Sequence, residues 1–377
     1  MIRVFSQTTG VLYQHVSKPI LFAQAPDGVH SRMLRLASFL QRSRIMRRTV
    51  HCVLAYDEPT MLAQTVRGVW FTNPIGLSAG FDKNFELPPM MHALGFGFME
   101  GGSVTNLPCA GNPRPWFHRL PKSKSLVVYA GLANEGVDRI MKRVQSFAPE
   151  TLQDFPLNVS VAQTNTKLIR TEEEAIADVV AGLRAAGESG VAQLLTINIS
   201  CPNTYRGEPF TSPGMFDRLL RKVDRLHLKS PVFVKMPNHL SWSDFDALLA
   251  VAARHHIAGV TVSNLAKREA GVELAEPLPD SIRGGLSGKP TWEKSNELIR
   301  KTYQKYGERF TIMGVGGVFS AEDAYTKIRL GATLVELITG MVFEGPQLIG
   351  QINQGLSELL ERDGFSNVRE AIGVDAH

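Results

Sequence analysis

The sequence predicts an α/β fold, a closed (β/α)8 TIM barrel with an N-terminal helical extension, in which residues 1–62 form the extension and residues 63–377 the barrel domain. Three observations carry this. From about Val69 onward, short apolar segments alternate with longer amphipathic ones, and there are eight of the former, the count for a closed parallel barrel rather than an open sheet. A chain of 377 residues has room for a barrel of roughly 250 residues and an appended segment. The polar and glycine-rich motifs follow the apolar segments, and the C-terminal strand ends are where such a barrel carries its chemistry.

In chain order, the segment from Val11 to Arg48 reads as two short helices around a Pro26-Asp27-Gly28 turn. In the second helix Met33, Leu34, Leu36, Leu40 and Met46 recur at helical spacing beside a basic face of Arg32, Arg35, Arg42, Arg44, Arg47 and Arg48. That pattern suits packing against the chain's own barrel, attachment to a membrane surface, or both. The net charge of +5 gathers there, and a basic run of this kind suits an anionic surface, lipid or nucleic acid. Strands are expected at residues 75–77, 96–100, 157–160, 194–199, 232–235, 259–262, 311–314 and 333–337, with helices at 172–186, 216–228, 242–254, 294–306 and 321–330. Residues 269–283 read as a long loop over the barrel mouth.

Composition removes several classes. A hydrophobic content of 44% with 20% charged residues is that of a globular chain, neither disordered nor fibrous. Cys52, Cys109 and Cys201 form no C-x-x-C pair, so a disulfide scaffold, a zinc site and an iron-sulfur cluster lack support, no metal is expected, and a reducing compartment is the default. No run of about 18 apolar residues is present and the first 25 residues lack an apolar signal core, so any membrane contact is expected to be peripheral.

Three motifs carry chemistry. Gly314-Val315-Gly316-Gly317 follows the seventh expected strand and Thr339-Gly340 the eighth. Taken singly they read as tight turns; taken together, at the two strand ends where this fold holds phosphate, they read as a phosphate site. Asn198-Ile199-Ser200-Cys201-Pro202-Asn203-Thr204 brings two carboxamides and a thiol to the fourth strand end, a set that offers donors and acceptors to a polar planar ligand together with an ionisable nucleophile or base. A lone cysteine is otherwise an inert buried side chain. Gly76-Leu77-Ser78-Ala79-Gly80-Phe81-Asp82-Lys83 lets a flat ring lie on backbone. Lys235, directly after an apolar run, is placed to point into the mouth and offset charge on that ring.

Residues 73–119, 198–204, 284–290 and 312–317, in this order, resemble the dihydroorotate dehydrogenases, and the likeness extends over nearly the whole chain from about Leu12 to Gly350. With its helical extension the chain resembles the membrane-associated, quinone-linked class. The resemblance implies FMN, its ring near Ser78, Ala79, Gly80, Ser103, Ser160, Asn198, Lys235 and Ser263 and its phosphate on Gly288, Gly317, Ile338 and Thr339. It implies a dihydroorotate-like substrate held by Lys83, Asn198, Asn203 and Asn264, with Cys201 as base and Lys83 offsetting charge on the substrate. It also implies electron transfer to a quinone along a route lined by His30 and Arg119, and no nucleic-acid partner. The location implied is peripheral, on the cytoplasmic face of the inner membrane or, in a eukaryote, at the mitochondrial inner membrane.

The likeness departs at named positions. Cys201 stands where quinone-linked members typically have serine, Val128 and Ser160 where the family has asparagine, and Leu265 where it has a small hydroxyl residue. The segment Tyr205-Arg206-Gly207-Glu208 replaces a Pro-Gly turn. Three functions are therefore expected in turn: dihydroorotate oxidation, oxidation of another cyclic or conjugated carbonyl compound by the same cofactor, or flavin binding without turnover in a membrane-attached protein.

Overall fold

Strands buried on both faces need helices outside and side chains inside, and the eight apolar segments meet that demand by closing on themselves. The computed structural model describes residues 2–201, 203–204, 207–268 and 271–377. Its parallel barrel consists of β1 (Ile75–Leu77), β2 (Phe98–Thr105), β3 (Leu157–Ala162), β4 (Leu194–Asn198), β5 (Val232–Met236), β6 (Gly259–Val262), β7 (Thr311–Val315) and β8 (Leu334–Leu337), paired in sequence, with β8 closing onto β1. All eight expected strands are present. The expected helices are too, as Glu172–Glu188, Pro213–Asp224, Trp242–Ala252, Trp292–Tyr306 and Ala321–Arg329. One of them ends earlier than expected, at Asp224 rather than residue 228, because the chain turns there and His227 sits at φ 47.

The N-terminal end of the barrel is plugged by Phe71, Phe98, Phe233, Met313 and Leu334. A hairpin not anticipated from sequence, Gln64–Val66 with Val69–Phe71, covers this plug. Its tight turn places Arg67 at φ 49 and Gly68 at φ 81, and Arg67 Nη2 donates to Arg309 O at 2.9 Å. Gly76 on β1 is required by the same packing, since a Cβ there would lie 2.2 Å from the Phe98 ring.

The extension differs from its sequence reading in two ways. Its helices are α1 (Ile2–Leu12), α2 (Lys18–Phe22), α3 (Pro26–Leu40), α4 (Arg44–Leu54) and the single turn α5 (Pro59–Leu62), with one turn of π-helix, Tyr13–Ser17, joining the first two. Pro26-Asp27-Gly28 is therefore the start of a helix and not a turn, with Pro26 in the first position, where its missing N–H costs nothing. The expected second helix is two, because the chain breaks at residues 41–43 and restarts with Ser43 Oγ accepting from Met46 N. Tyr13 Oη donates to Val342 O (2.8 Å) and Gln14 Nε2 to Phe343 O (3.0 Å), fixing the extension to the segment after β8.

Over the barrel mouth lies a second unanticipated element, a three-stranded antiparallel sheet of Phe117–Leu120, Ser125–Val128 and Gly285–Leu286. The expected loop over the mouth packs Val272, Leu274, Leu278 and Ile282 against this sheet, while Glu269 lies outside the described residues.

Candidate active site

One cavity of about 540 Å3 runs from between α2, α3 and α4 into the C-terminal mouth of the barrel, within the size range of small-molecule sites. Its outer part is walled by apolar side chains of the extension, among them Leu21, Val29, Met33 and Leu40, and its inner part by the strand-end motifs.

At one inner end the loops after β7 and β8 meet the segment before Trp292–Tyr306. Gly316 and Gly317 stand at φ 118 and 75, where a side chain would be strained. A Cβ on Gly288 would meet Lys124 O at 2.2 Å. Ser287 Oγ and Thr339 Oγ1 are hydrogen-bonded at 2.8 Å, and Gly288, Gly317, Ile338 and Thr339 all face the cavity. Bare backbone beside two hydroxyls is a cradle that fits a phosphate group.

The polar wall is built from neighbouring strand ends. Asn198, last residue of β4, donates through Nδ2 to Ser103 Oγ (2.8 Å) and accepts through Oδ1 from Asn264 Nδ2 (3.1 Å). Ser263 Oγ accepts from Asn238 Nδ2 at 2.7 Å. Lys235 Nζ donates to Glu100 Oε2 (2.8 Å) and to Ser78 Oγ (3.1 Å). Ser78, Ala79, Gly80, Ser103, Asn198, Lys235 and Ser263 thus line the same cavity. Ser160 does not: it lies fully buried behind Ser103, hydrogen-bonded to its hydroxyl at 2.9 Å, because its place on β3 points it beneath that side chain.

Cys201 lies just beyond β4 and lines the same cavity, and burial pushes its thiol up to about 11. Asn203 Nδ2 donates to Val128 O at 2.8 Å. Pro202, Tyr205 and Arg206 of this loop lie outside the described residues, and Glu208 pairs with Lys267 at 2.5 Å. Lys83 enters the cavity from the β1 side, donates to Gly80 O (2.6 Å) and lies 5.0 Å from the centre of the Phe117 ring. Burial draws its ammonium down to about 8, against the pull of Asp82 and Asp27. Val128 and Leu265, apolar where the family is polar, line the cavity close to Asn203 and Asn264.

His30 on α3 packs edge-on against Phe81 and Phe117, at 5.2 and 5.3 Å. Burial, then Lys83 and Arg114, hold its imidazole down to about 3, so it is neutral at physiological pH. Arg119 stacks 4.6 Å from the centre of the Phe22 ring, donates to Gln24 O at 2.7 Å and lines the same cavity as His30. Asp27, in the first turn of α3, accepts the backbone N–H of Trp116 (3.0 Å) and of Phe117 (3.2 Å) and pairs with Arg114 (3.2 Å). The extension therefore grips the segment that roofs Lys83.

Comparison with known proteins adds the family. The dihydroorotate dehydrogenase family profile matches residues 61–360. The chain belongs to the dihydroorotate dehydrogenase family. It is thus an oxidoreductase of a flavoprotein family. The dihydroorotate dehydrogenase (quinone) of Parvibaculum lavamentivorans is 33% identical over 96% of this chain and 98% of its own length. That of Deinococcus deserti is 34% identical over 97% of this chain and 100% of its own. The crystal structure of the Eimeria tenella dihydroorotate dehydrogenase in complex with ferulenol superposes with a TM-score of 0.78 at 27% identity, covering 93% of this chain and 95% of that one.

Sequence reasoning passed over Glu100, Glu336 and Asp27. The two glutamates had a signal, a single acid inside an apolar strand at Phe98-Met99-Glu100 and Val335-Glu336-Leu337. Asp27 had none, since Pro26-Asp27-Gly28 reads in the sequence as a turn.

Proposed function

We propose that this protein binds one FMN, oxidises dihydroorotate to orotate in pyrimidine biosynthesis and passes the electrons to a quinone. The observation that carries the reading is the single cavity, which joins a phosphate cradle, a polar strand-end wall with Lys235, and an apolar passage through the extension. The residues present fit the cofactor, with Gly288, Gly317, Ile338 and Thr339 for its phosphate and the wall around Ser78, Asn198 and Lys235 for its ring. When bound, the flavin supplies a two-electron acceptor for the hydrogen that leaves the substrate with its electron pair.

Cys201 takes the proton from the substrate carbon beside the carbonyl, the neighbouring C–H loses hydrogen with its electrons, and a C=C bond forms between the two carbons. Lys83 offsets the negative charge that builds on the substrate, while Asn198, Asn203 and Asn264 hold the ring in plane. The quinone becomes a quinol at the apolar end, near His30 and Arg119. Residues 1–62 act as the acceptor-side extension and residues 63–377 as the catalytic barrel.

Anaerobic dihydroorotate is expected to bleach the purified yellow protein, which releases one FMN per chain and no FAD, since one phosphate cradle is present and no G-x-G-x-x-G follows the first strand. Val128 and Leu265 support a second reading, a less polar cyclic or conjugated carbonyl substrate. Bound FMN that dihydroorotate leaves unbleached would favour it.

The extension supports peripheral attachment to a membrane, at the inner-membrane face. Among the described residues no helix is long and apolar enough to cross one. Phe39 and Ile45 are 68% and 72% exposed beside Arg35, Arg42, Arg44 and Arg48, so apolar insertion and attraction to anionic lipid add, the latter by about 1 kcal/mol per well-placed arginine. We expect the full chain to co-sediment with phosphatidylserine vesicles and the Phe39→Ser/Ile45→Ser variant to remain in the supernatant with its flavin. Undiminished sedimentation of that variant would remove this face as the anchor.

A further inference from the structure

Glu100 on β2 and Glu336 on β8 project into the barrel from the two strands that flank β1, and both are fully buried. Among the described residues Lys235 is the one cation within ion-pair distance of either, at 2.8 Å from Glu100 Oε2 and 3.9 Å from Glu336 Oε2. Two ionised carboxylates and one ammonium would leave an uncompensated negative charge inside the barrel. Nearby groups relieve it little: Ala79 N–H reaches Glu100 Oε2 only at 3.5 Å, and the Ser78 hydroxyl beside Glu336 already accepts from Lys235. Glu100 Oε1 and both oxygens of Glu336 have no hydrogen-bond partner in the protein. The polar groups deeper in the barrel are already committed, Thr196 Oγ1 to Asn158 Oδ1 (3.0 Å) and Asn158 Nδ2 and Thr261 Oγ1 to Met313 Sδ (3.9 and 3.8 Å). The phenylalanine plug closes the barrel beyond them. A carboxyl group so placed takes a proton instead of remaining charged.

We propose that Glu100 and Glu336 form a proton-holding acid–carboxylate pair, in which Glu336 carries the proton and Glu100 is the sole counter-ion of Lys235. The distances decide the assignment, because the carboxylate 2.8 Å from the ammonium keeps its charge more readily than the one at 3.9 Å. Burial, and then the field of Glu100, push the Glu336 carboxyl well above the usual carboxylate range. A proton between the two acids also supplies a partner to oxygens that otherwise have none.

The wall formed by Ser78, Lys235, Glu100 and Glu336 then carries no net charge. Glu336 is a positioning residue: its neutrality leaves Lys235 directed at Ser78 and the cavity and keeps a fixed negative charge away from the place where electrons arrive. This last consequence rests on the flavin reading of the cavity; the proton does not.

Infrared difference spectra of the holoprotein at about pH 8, above the value of about 6 to which burial raises Asp82, test the proton directly. The wild type is expected to show the carbonyl stretch of a protonated carboxylic acid, shifted in D2O. Glu336→Gln removes the group and loses the band. Glu100→Gln also loses it, because Glu336 must then ionise to balance Lys235. The flavin midpoint potential of Glu336→Gln is expected to match the wild type, since a neutral amide replaces a neutral acid; an ionised Glu336 would make the same substitution raise it. A wild type without the band, or a band that survives in either variant, overturns the proposal. A protein that carries the band but holds no flavin keeps this inference and loses the reading of the cavity.

Discussion

Replacing Cys201 by alanine is expected to slow bleaching of the flavin by dihydroorotate by at least about 100-fold, the scale of a lost general base, with flavin content unchanged. Cys201 lines the cavity with Asn198 and Lys235 but is not among the residues of the phosphate cradle, so binding and chemistry separate in this variant. Cys201→Ser should keep measurable turnover, since an oxygen at the same place still receives a proton. Equal bleaching rates in wild type and Cys201→Ala would remove the residue from the chemistry altogether.

Lys83→Met is expected to have an effect of similar size, about 100- to 1,000-fold in the bleaching rate at low substrate, because in the proposed mechanism it deletes the cation that offsets developing charge while keeping most of the side-chain volume. An unchanged rate would mean that this ammonium meets no substrate. The two groups together also dictate a pH profile. Cys201 must be deprotonated and is raised to about 11, whereas Lys83 must be protonated and is lowered to about 8. Below about 8 the rate at low substrate therefore rises tenfold per pH unit with the thiolate fraction. From about 8 to about 11 the gain in thiolate cancels the loss of ammonium and the profile is flat; above that it falls. In Lys83→Met the rise should continue to about 11 without the break. A wild-type rate already flat between pH about 6 and 8 would show that the thiol ionises far below its buried value.

The barrel was legible because its signal is local. Eight short apolar runs separated by amphipathic segments need no tertiary information, and the glycines at 316 and 317 announce themselves by composition. The site motifs were legible for the same reason, each being contiguous: 78–83, 198–204 and 338–339 each supply their residues from one strand end. What escaped has a different cause. Ser160 was expected beside the flavin, but only the packing of β3 against β2 reveals that it supports Ser103 from behind. The Glu100, Lys235 and Glu336 cluster draws one residue from each of three strands, so no stretch of sequence contains it. The antiparallel sheet over the mouth pairs residues 285–286 with 127–128, a separation no periodicity reports. In the extension the error was one of punctuation, since Pro26 both follows a break and opens a helix, and proline alone does not distinguish the two.

The grip of Asp27 on Trp116 and Phe117 has a consequence for how such a protein can be taken apart. A carboxylate from the first turn of α3 satisfies two backbone N–H groups of the segment that roofs Lys83, and the adjacent indole in turn donates to Asn112 O, whose side chain reaches Asn203 O at 3.0 Å. Deleting the extension would therefore strip hydrogen-bond acceptors from the segment beside Lys83 as well as unwalling the apolar end of the cavity. The extension and the barrel are not exchangeable modules: a relative that dispenses with these helices needs some other acceptor for the same two amides, and a graft of the helices onto a foreign barrel succeeds only where an acid arrives at that point.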